Sequence, residues 1–174
     1  MSGPVRARVR RGAATVGGAR TVEVVASGIA RPRWSARLAR FCRHVLREAG
    51  AEGWDISILL CDDGMISDLN RKYRGIARPT DVLSFSRSVD HLRVAGDIAI
   101  SWDTLRRNAK EYGVSADGEL KRLTTHGILH LAGMDHGRGK GRAMLALQER
   151  IVEKLRAERI IEAQGAGRRL CVPR

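Results

Sequence analysis

The chain has 174 residues, 43% of them hydrophobic, with 32 Lys+Arg against 19 Asp+Glu and a formal net charge of +13. That length and composition fit one domain with its own core and exclude wholesale disorder. No apolar run approaches the roughly 18–20 residues that span a bilayer, and the basic charge makes a polyanion the first partner to consider.

Residues 1–20 show neither helical nor strand periodicity and read as a flexible basic extension. TVEVVA at 21–26 is β-branched and closed by Ser27-Gly28, the pattern of a strand. From Pro32, the residues Trp34, Leu38, Phe41, Val45 and Leu46 recur at helical spacing to about Gly50. WDISILLC at 54–61 is a second strand, with Ile56, Ile58 and Leu60 on one face. Asp62 or Asp63 caps a helix running to about Tyr73. Strands follow at 80–85 and 96–101, then a helix at 103–112 stopped by Gly113. Another helix starts near Ser115, and a last amphipathic helix is predicted over 141–162 with Met144, Leu147, Ile151, Leu155 and Ile161 inward. Residues 163–174 read as a tail. The expected fold is α+β: one domain over 21–162, with a small mixed sheet of about four strands packed on helices.

Charge is distributed unevenly, with nets of +9 over 1–50, −2 over 51–137 and +6 over 138–174. Of the basic residues 27 are Arg, whose planar fork suits phosphate. The outer residues Arg37, Arg40 and Arg47 are candidates for a phosphate track. Cys42, Cys61 and Cys171 are too few and too scattered for a disulfide framework or a CxxC site. They read as small buried hydrophobes in a reducing cytoplasm. The basic start lacks an apolar stretch after it, so no secretory signal and no membrane association are expected.

The segment His126-Gly127-Ile128-Leu129-His130-Leu131-Ala132-Gly133-Met134-Asp135-His136 holds three of the five histidines. His126 and His130 are four apart, on one face of a helix, and both reach one cation. Gly133 suits a left-handed helix stop, and the reversal brings His136 back as a third ligand. Three imidazoles leave a fourth position for water, the pattern of a catalytic zinc site, with nickel, copper and iron as alternatives. Metzincin proteases share the spacing but place Glu, their general base, after the first histidine. Gly127 stands there and transfers no proton. A phosphodiester is a better target for so basic a chain. His44 and His91 carry no assigned role.

Upstream lie Leu69-Asn70-Arg71-Lys72-Tyr73-Arg74, then Pro79-Thr80-Asp81-Val82-Leu83-Ser84-Phe85, then Gly96-Asp97-Ile98. With the histidine block, these segments resemble the YbeY family of bacterial endoribonucleases across about 21–160. Ser86, Met134 and Gly137 stand where the family commonly has proline, an aromatic and an acidic residue. The resemblance implies a histidine-bearing helix on a small mixed sheet, one zinc ion, and cleavage of single-stranded RNA in ribosomal RNA maturation and ribosome quality control. It implies His126, His130 and His136 as metal ligands and Arg74 as a functional residue beside the metal. Ribosomal subunits, a small-subunit ribosomal protein and an assembly GTPase are the implied partners.

Catalytic roles are therefore expected for Arg74 and His126, and substrate contact for Arg74 and Asp81. Without the resemblance, Arg74 reads as a helix-end ion pair. Asp81 and Asp135 are candidate general bases, although Asp135 equally suits orienting a ligand imidazole. Asp97 is expected to bond local backbone at a strand start. The alternatives are a non-catalytic ribosome assembly factor with structural zinc and a metal-dependent hydrolase of another substrate, including peptides.

Overall fold

Alternating apolar residues in two neighbouring segments give a sheet something to bury on each face, and the described part of the chain is built around that sheet. The computed structural model describes residues 21–90, 93–134 and 140–162. The predicted 1–20 extension and 163–174 tail lie outside these residues, as do His91, Asp135, His136 and Cys171. In chain order the elements are β1 (Val22–Ser27), α1 (Ser35–Glu48), β2 (Asp55–Cys61), α2 (Asp63–Arg74), β3 (Val82–Asp90), β4 (Arg93–Ser101), α3 (Trp102–Glu111), α4 (Ala116–Leu131) and α5 (Lys140–Lys154). The sheet order is β1-β2-β4-β3. β1 and β2 pair parallel, as do β2 and β4, while β3 runs antiparallel to β4. The fold is α+β with a mixed four-stranded sheet, as the sequence led us to expect.

Strand periodicity divides the core. Ile56, Ile58 and Leu60 of β2, with Ile98 and Ile100 of β4, join Leu38, Phe41 and Val45 of α1 and Leu120, Leu123 and Ile128 of α4 in the larger cluster. The intervening positions Leu59, Cys61 and Ala99, with Leu83 and Phe85 of β3, pack on Met65, Ile66 and Leu69 of α2. Each fully buried aliphatic or aromatic side chain contributes about 1.5–3 kcal/mol of transfer free energy. Three helix starts are capped by side chains. The Asp62 carboxylate accepts the Met65 amide at 2.8 Å, Ser101 accepts that of Thr104 at 3.1 Å, and Ser115 accepts that of Gly118 at 3.0 Å. Cys42 and Cys61 are buried, and burial pushes the Cys61 thiol up to about 12.

Three readings of the sequence need correction. β3 extends past residue 85 to Asp90, because pairing with β4 continues beyond its apolar stretch. Asp97 does not bond local backbone at a strand start. It lies within β4, and its Oδ2 is 3.0 Å from Arg87 Nε on the neighbouring strand. The last helix ends at Lys154 instead of 162; beyond it Ile160 is buried, and Ile161 packs partly buried against the same core.

Tertiary bonds cause that early end. Asp117 of α4 accepts the amides of Ile160 and Ile161 at 2.9 and 2.8 Å. Its partner Lys121, at 2.9 Å, donates to the Arg156 carbonyl at 3.1 Å. His44 adds a 2.6 Å contact to Glu158, and Arg37 pairs with Glu162. No proline or glycine in 155–162 announces this turn.

Burial pushes the Asp117 carboxyl up, but the Ile161 amide, Lys121 and the Ile160 amide outweigh burial and hold it below its usual value. A carboxyl depressed in the folded state stabilises above its unfolded pKa, about 3.9, and loses that contribution as pH falls through its folded value. Breaking a buried pair by removing one partner costs about 3–5 kcal/mol. Asp117→Ala should therefore be destabilised by that order in urea unfolding at pH 7, and its deficit should shrink as pH falls below about 4. A deficit unchanged between pH 7 and pH 3 would contradict this account.

Candidate active site

The carboxyl end of α2 is fastened at three points. Leu69 packs into the smaller cluster under the sheet. Asn70, 4% exposed, donates its side-chain N–H to the Arg78 carbonyl at 2.8 Å and so anchors the loop that leads to Thr80 and Asp81. Tyr73 rests on Phe85 of β3, with ring centroids 4.7 Å apart. Gly75, at φ 73°, ends the helix directly after Arg74. Arg74 is thereby held at the helix end, where its charge suits the dipole. It is exposed and lines a cleft of about 430 Å³. Among the described residues no carboxylate pairs with it, so the helix-end ion pair that the sequence allowed is not formed there.

The opposite wall of the cleft is α4, packed across β3 and β4. Gly127 faces the sheet: a Cβ there would lie 2.9 Å from Ile98 Cγ2 and 3.2 Å from Ser84 Oγ. Gly96 of β4 likewise leaves room for Leu131, whose Cδ1 would be 2.5 Å from an added Cβ. Ser84 donates its hydroxyl to the Gly127 carbonyl at 3.2 Å. With Gly127 against the sheet, His126 and His130 open into the cleft beside Val82, Ser84 and Ser86. The Nε2 atoms of the two histidines are 3.0 Å apart, with their rings edge to face. His126 Nδ1 lies 2.8 Å from Oε1 of Gln148, a residue of α5. After His130 the helix closes as expected. Gly133 has φ 74°, its amide donates to the His130 carbonyl at 3.0 Å, and that of Met134 donates to the Leu129 carbonyl at 3.1 Å.

Asp81 also lines the cleft. Its Oδ1 accepts the Val82 amide at 2.9 Å and the Thr80 hydroxyl at 3.3 Å, while Oδ2 is 3.4 Å from Arg122 Nη2. Arg122 is in turn clasped by the buried Glu119, with contacts of 2.7 and 2.8 Å. The structure thus brings Arg74, Asp81, His126 and His130 to one cleft. The remaining predicted ligand, His136, lies outside the described residues, and among the described residues no three acidic, histidine or cysteine side chains form a metal-sized group. Arg37, Arg40 and Arg47 sit on α1, which packs at β1, the edge opposite β3, and Arg37 and Arg47 are paired with Glu162 and Glu52. Sequence reasoning missed Gln148 and Arg122. Gln148 did carry a signal, since it is a polar residue on the stripe Met144, Gln148, Ile151 of an otherwise apolar helix face.

Residues 25–156 match the family model described as Endoribonuclease YbeY. The chain belongs to the YbeY endoribonuclease family. The YbeY endoribonuclease of Treponema pallidum is 43% identical over 139 residues, which is 75% of this chain and 87% of that one. The Treponema denticola protein of the same name is 45% identical over 124 residues, covering 67% of this chain and 80% of its own. A solution structure from Thermotoga maritima shares the fold, with a TM-score of 0.55 and 23% identity over 84% of this chain and 99% of its own. No helix among the described residues is long and apolar enough to cross a membrane.

The position where a metzincin carries its glutamate is, in this YbeY-family chain, a packing contact. Filling it overpacks the core by about 1–3 kcal/mol. Gly127→Ala should lower the melting temperature by several degrees, despite alanine's higher helix propensity. An unchanged or raised melting temperature would show that α4 does not need this close approach.

Proposed function

We propose that this cleft cleaves single-stranded RNA, with ribosomal RNA precursors in the cytoplasm as substrates, using one zinc ion held by His126, His130 and His136. The carrying observation is convergence: two imidazole Nε2 atoms meet at 3.0 Å in a cleft that Arg74 enters from the other side. Two nitrogens bound at about 2.0–2.1 Å to one tetrahedral ion lie about 3.3–3.4 Å apart, so a small spreading of the rings accommodates zinc. The donor set, neutral imidazoles, also fits zinc. Bound there, the ion supplies Lewis acidity toward a phosphate oxygen.

The chain's own groups do the rest. Arg74 binds the scissile phosphate and stabilises the charge that develops on it. Lys72 and Arg78, exposed on the same helix end and loop, extend the cationic surface along which an RNA backbone passes. Asp81 shapes the wall of the cleft, and its commitment to Arg122 argues against its use as the general base. His126 takes part as a ligand of the zinc ion, from the wall of the cleft facing Arg74. Membership of the YbeY family supports RNA as the substrate and hydrolysis as the reaction. Roles in ribosome quality control, and contacts with ribosomal subunits, a small-subunit ribosomal protein and an assembly GTPase, extend the same reading.

Purified protein should cut single-stranded RNA. Arg74→Ala should slow cleavage by about 10²–10³-fold with its metal content unchanged, as loss of one charge-stabilising donor does. His130→Ala should lose the metal. If wild type and Arg74→Ala cleaved at equal rates, the activity would not belong to this cleft, and a non-catalytic assembly role would be the better reading.

A further inference from the structure

We propose that Gln148 is a positioning residue that fixes the tautomer of His126 and thereby the direction of its metal-binding lone pair. The inference rests on the metal reading given above. Gln148 is 5% exposed and reaches His126 from α5, a different element from the helix that carries both histidines. Its Oε1 is 2.8 Å from Nδ1 of His126. A side-chain carbonyl oxygen only accepts, so the proton of a neutral His126 ring sits on Nδ1. Nε2 is then left with its lone pair, and this is the nitrogen that faces His130 Nε2 at 3.0 Å. A ring with the proton on Nε2 instead would turn a hydrogen toward the point where the two imidazoles meet. The buried amide also holds the ring plane. Because Gln148 is neutral, it does so without adding negative charge to a cleft that receives a phosphodiester.

Helix α5 reaches His126 through this contact. The arrangement gives α5 a chemical task beyond burying Met144 and Ile151. Loss of an outer hydrogen-bond partner of a ligating histidine weakens metal affinity by about 10–100-fold in general.

The experiment is titration of the metal-stripped full chain with zinc and with cobalt(II), followed by a competing chelator and by cobalt absorption. Gln148→Met, similar in size and without the acceptor, should bind zinc about 10–100-fold more weakly. Its metal-free melting temperature should stay near that of wild type. Gln148→Glu, which also accepts, should bind within a few-fold of wild type. In wild type, nitrogen NMR of the metal-free protein should report the Nδ1–H tautomer for His126. Wild-type affinity in Gln148→Met would overturn the inference and leave the metal reading standing. An equal loss in Gln148→Glu would also overturn it, since that would mean that the amide N–H faces the ring. Failure of wild type to bind either metal would overturn the metal reading and this inference with it.

Discussion

Helix α4 lies against the sheet at a separation that only glycine allows. Gly127 of the helix meets Ile98 and Ser84, and Gly96 of β4 meets Leu131. Each is a place where a Cβ would collide with a buried side chain, so the two glycines jointly set how deep the helix sits. This constraint orients the site. One step round the helix from Gly127, the histidine face has nowhere to turn except toward the edge formed by β3. The Ser84 hydroxyl, bonded to the Gly127 carbonyl, locks the helix axis in register with that edge.

The opposite wall obeys a parallel logic with different parts. Leu69, Asn70, Tyr73 and Arg74 are close neighbours in sequence, yet each does something separate. One packs partly buried below the sheet, one clamps the following loop, one stacks on Phe85, and one is delivered to the cleft. Helical geometry divides the labour, because successive residues point about 100° apart around the axis. The electrostatic outcome is specific. Asp81, the acidic residue lining the cleft, is balanced by Arg122, which Glu119 holds in place. Arg74 has no such partner among the described residues. Among the described residues the cleft thus presents two imidazoles and a guanidinium without a carboxylate partner.

Legibility in the sequence followed the range of the interactions. Strand alternation in 55–61, the Asp62 and Ser115 helix starts, and the Gly133 stop depend on residues within a few positions of one another, and each was readable directly. Asp97 was not, because its ion pair with Arg87 requires the register of two strands. The end of α5 was not, because the groups that replace its helical bonds, Asp117 and Lys121, lie in α4. The position of the α1 arginines relative to the cleft was not, because it depends on the strand order β1-β2-β4-β3.

The sequence by itself determined the element types, the α+β class, and the pairing of His126 with His130 on one helical face, since i, i+4 spacing places side chains together whatever the tertiary context. Only the tertiary structure decided which walls enclose that pair, that Arg74 rather than an arginine of α1 faces it, and that Gln148 touches the His126 ring. Those are contacts between elements far apart in the chain. They are set by which faces must be buried and by how closely the glycines let those faces approach.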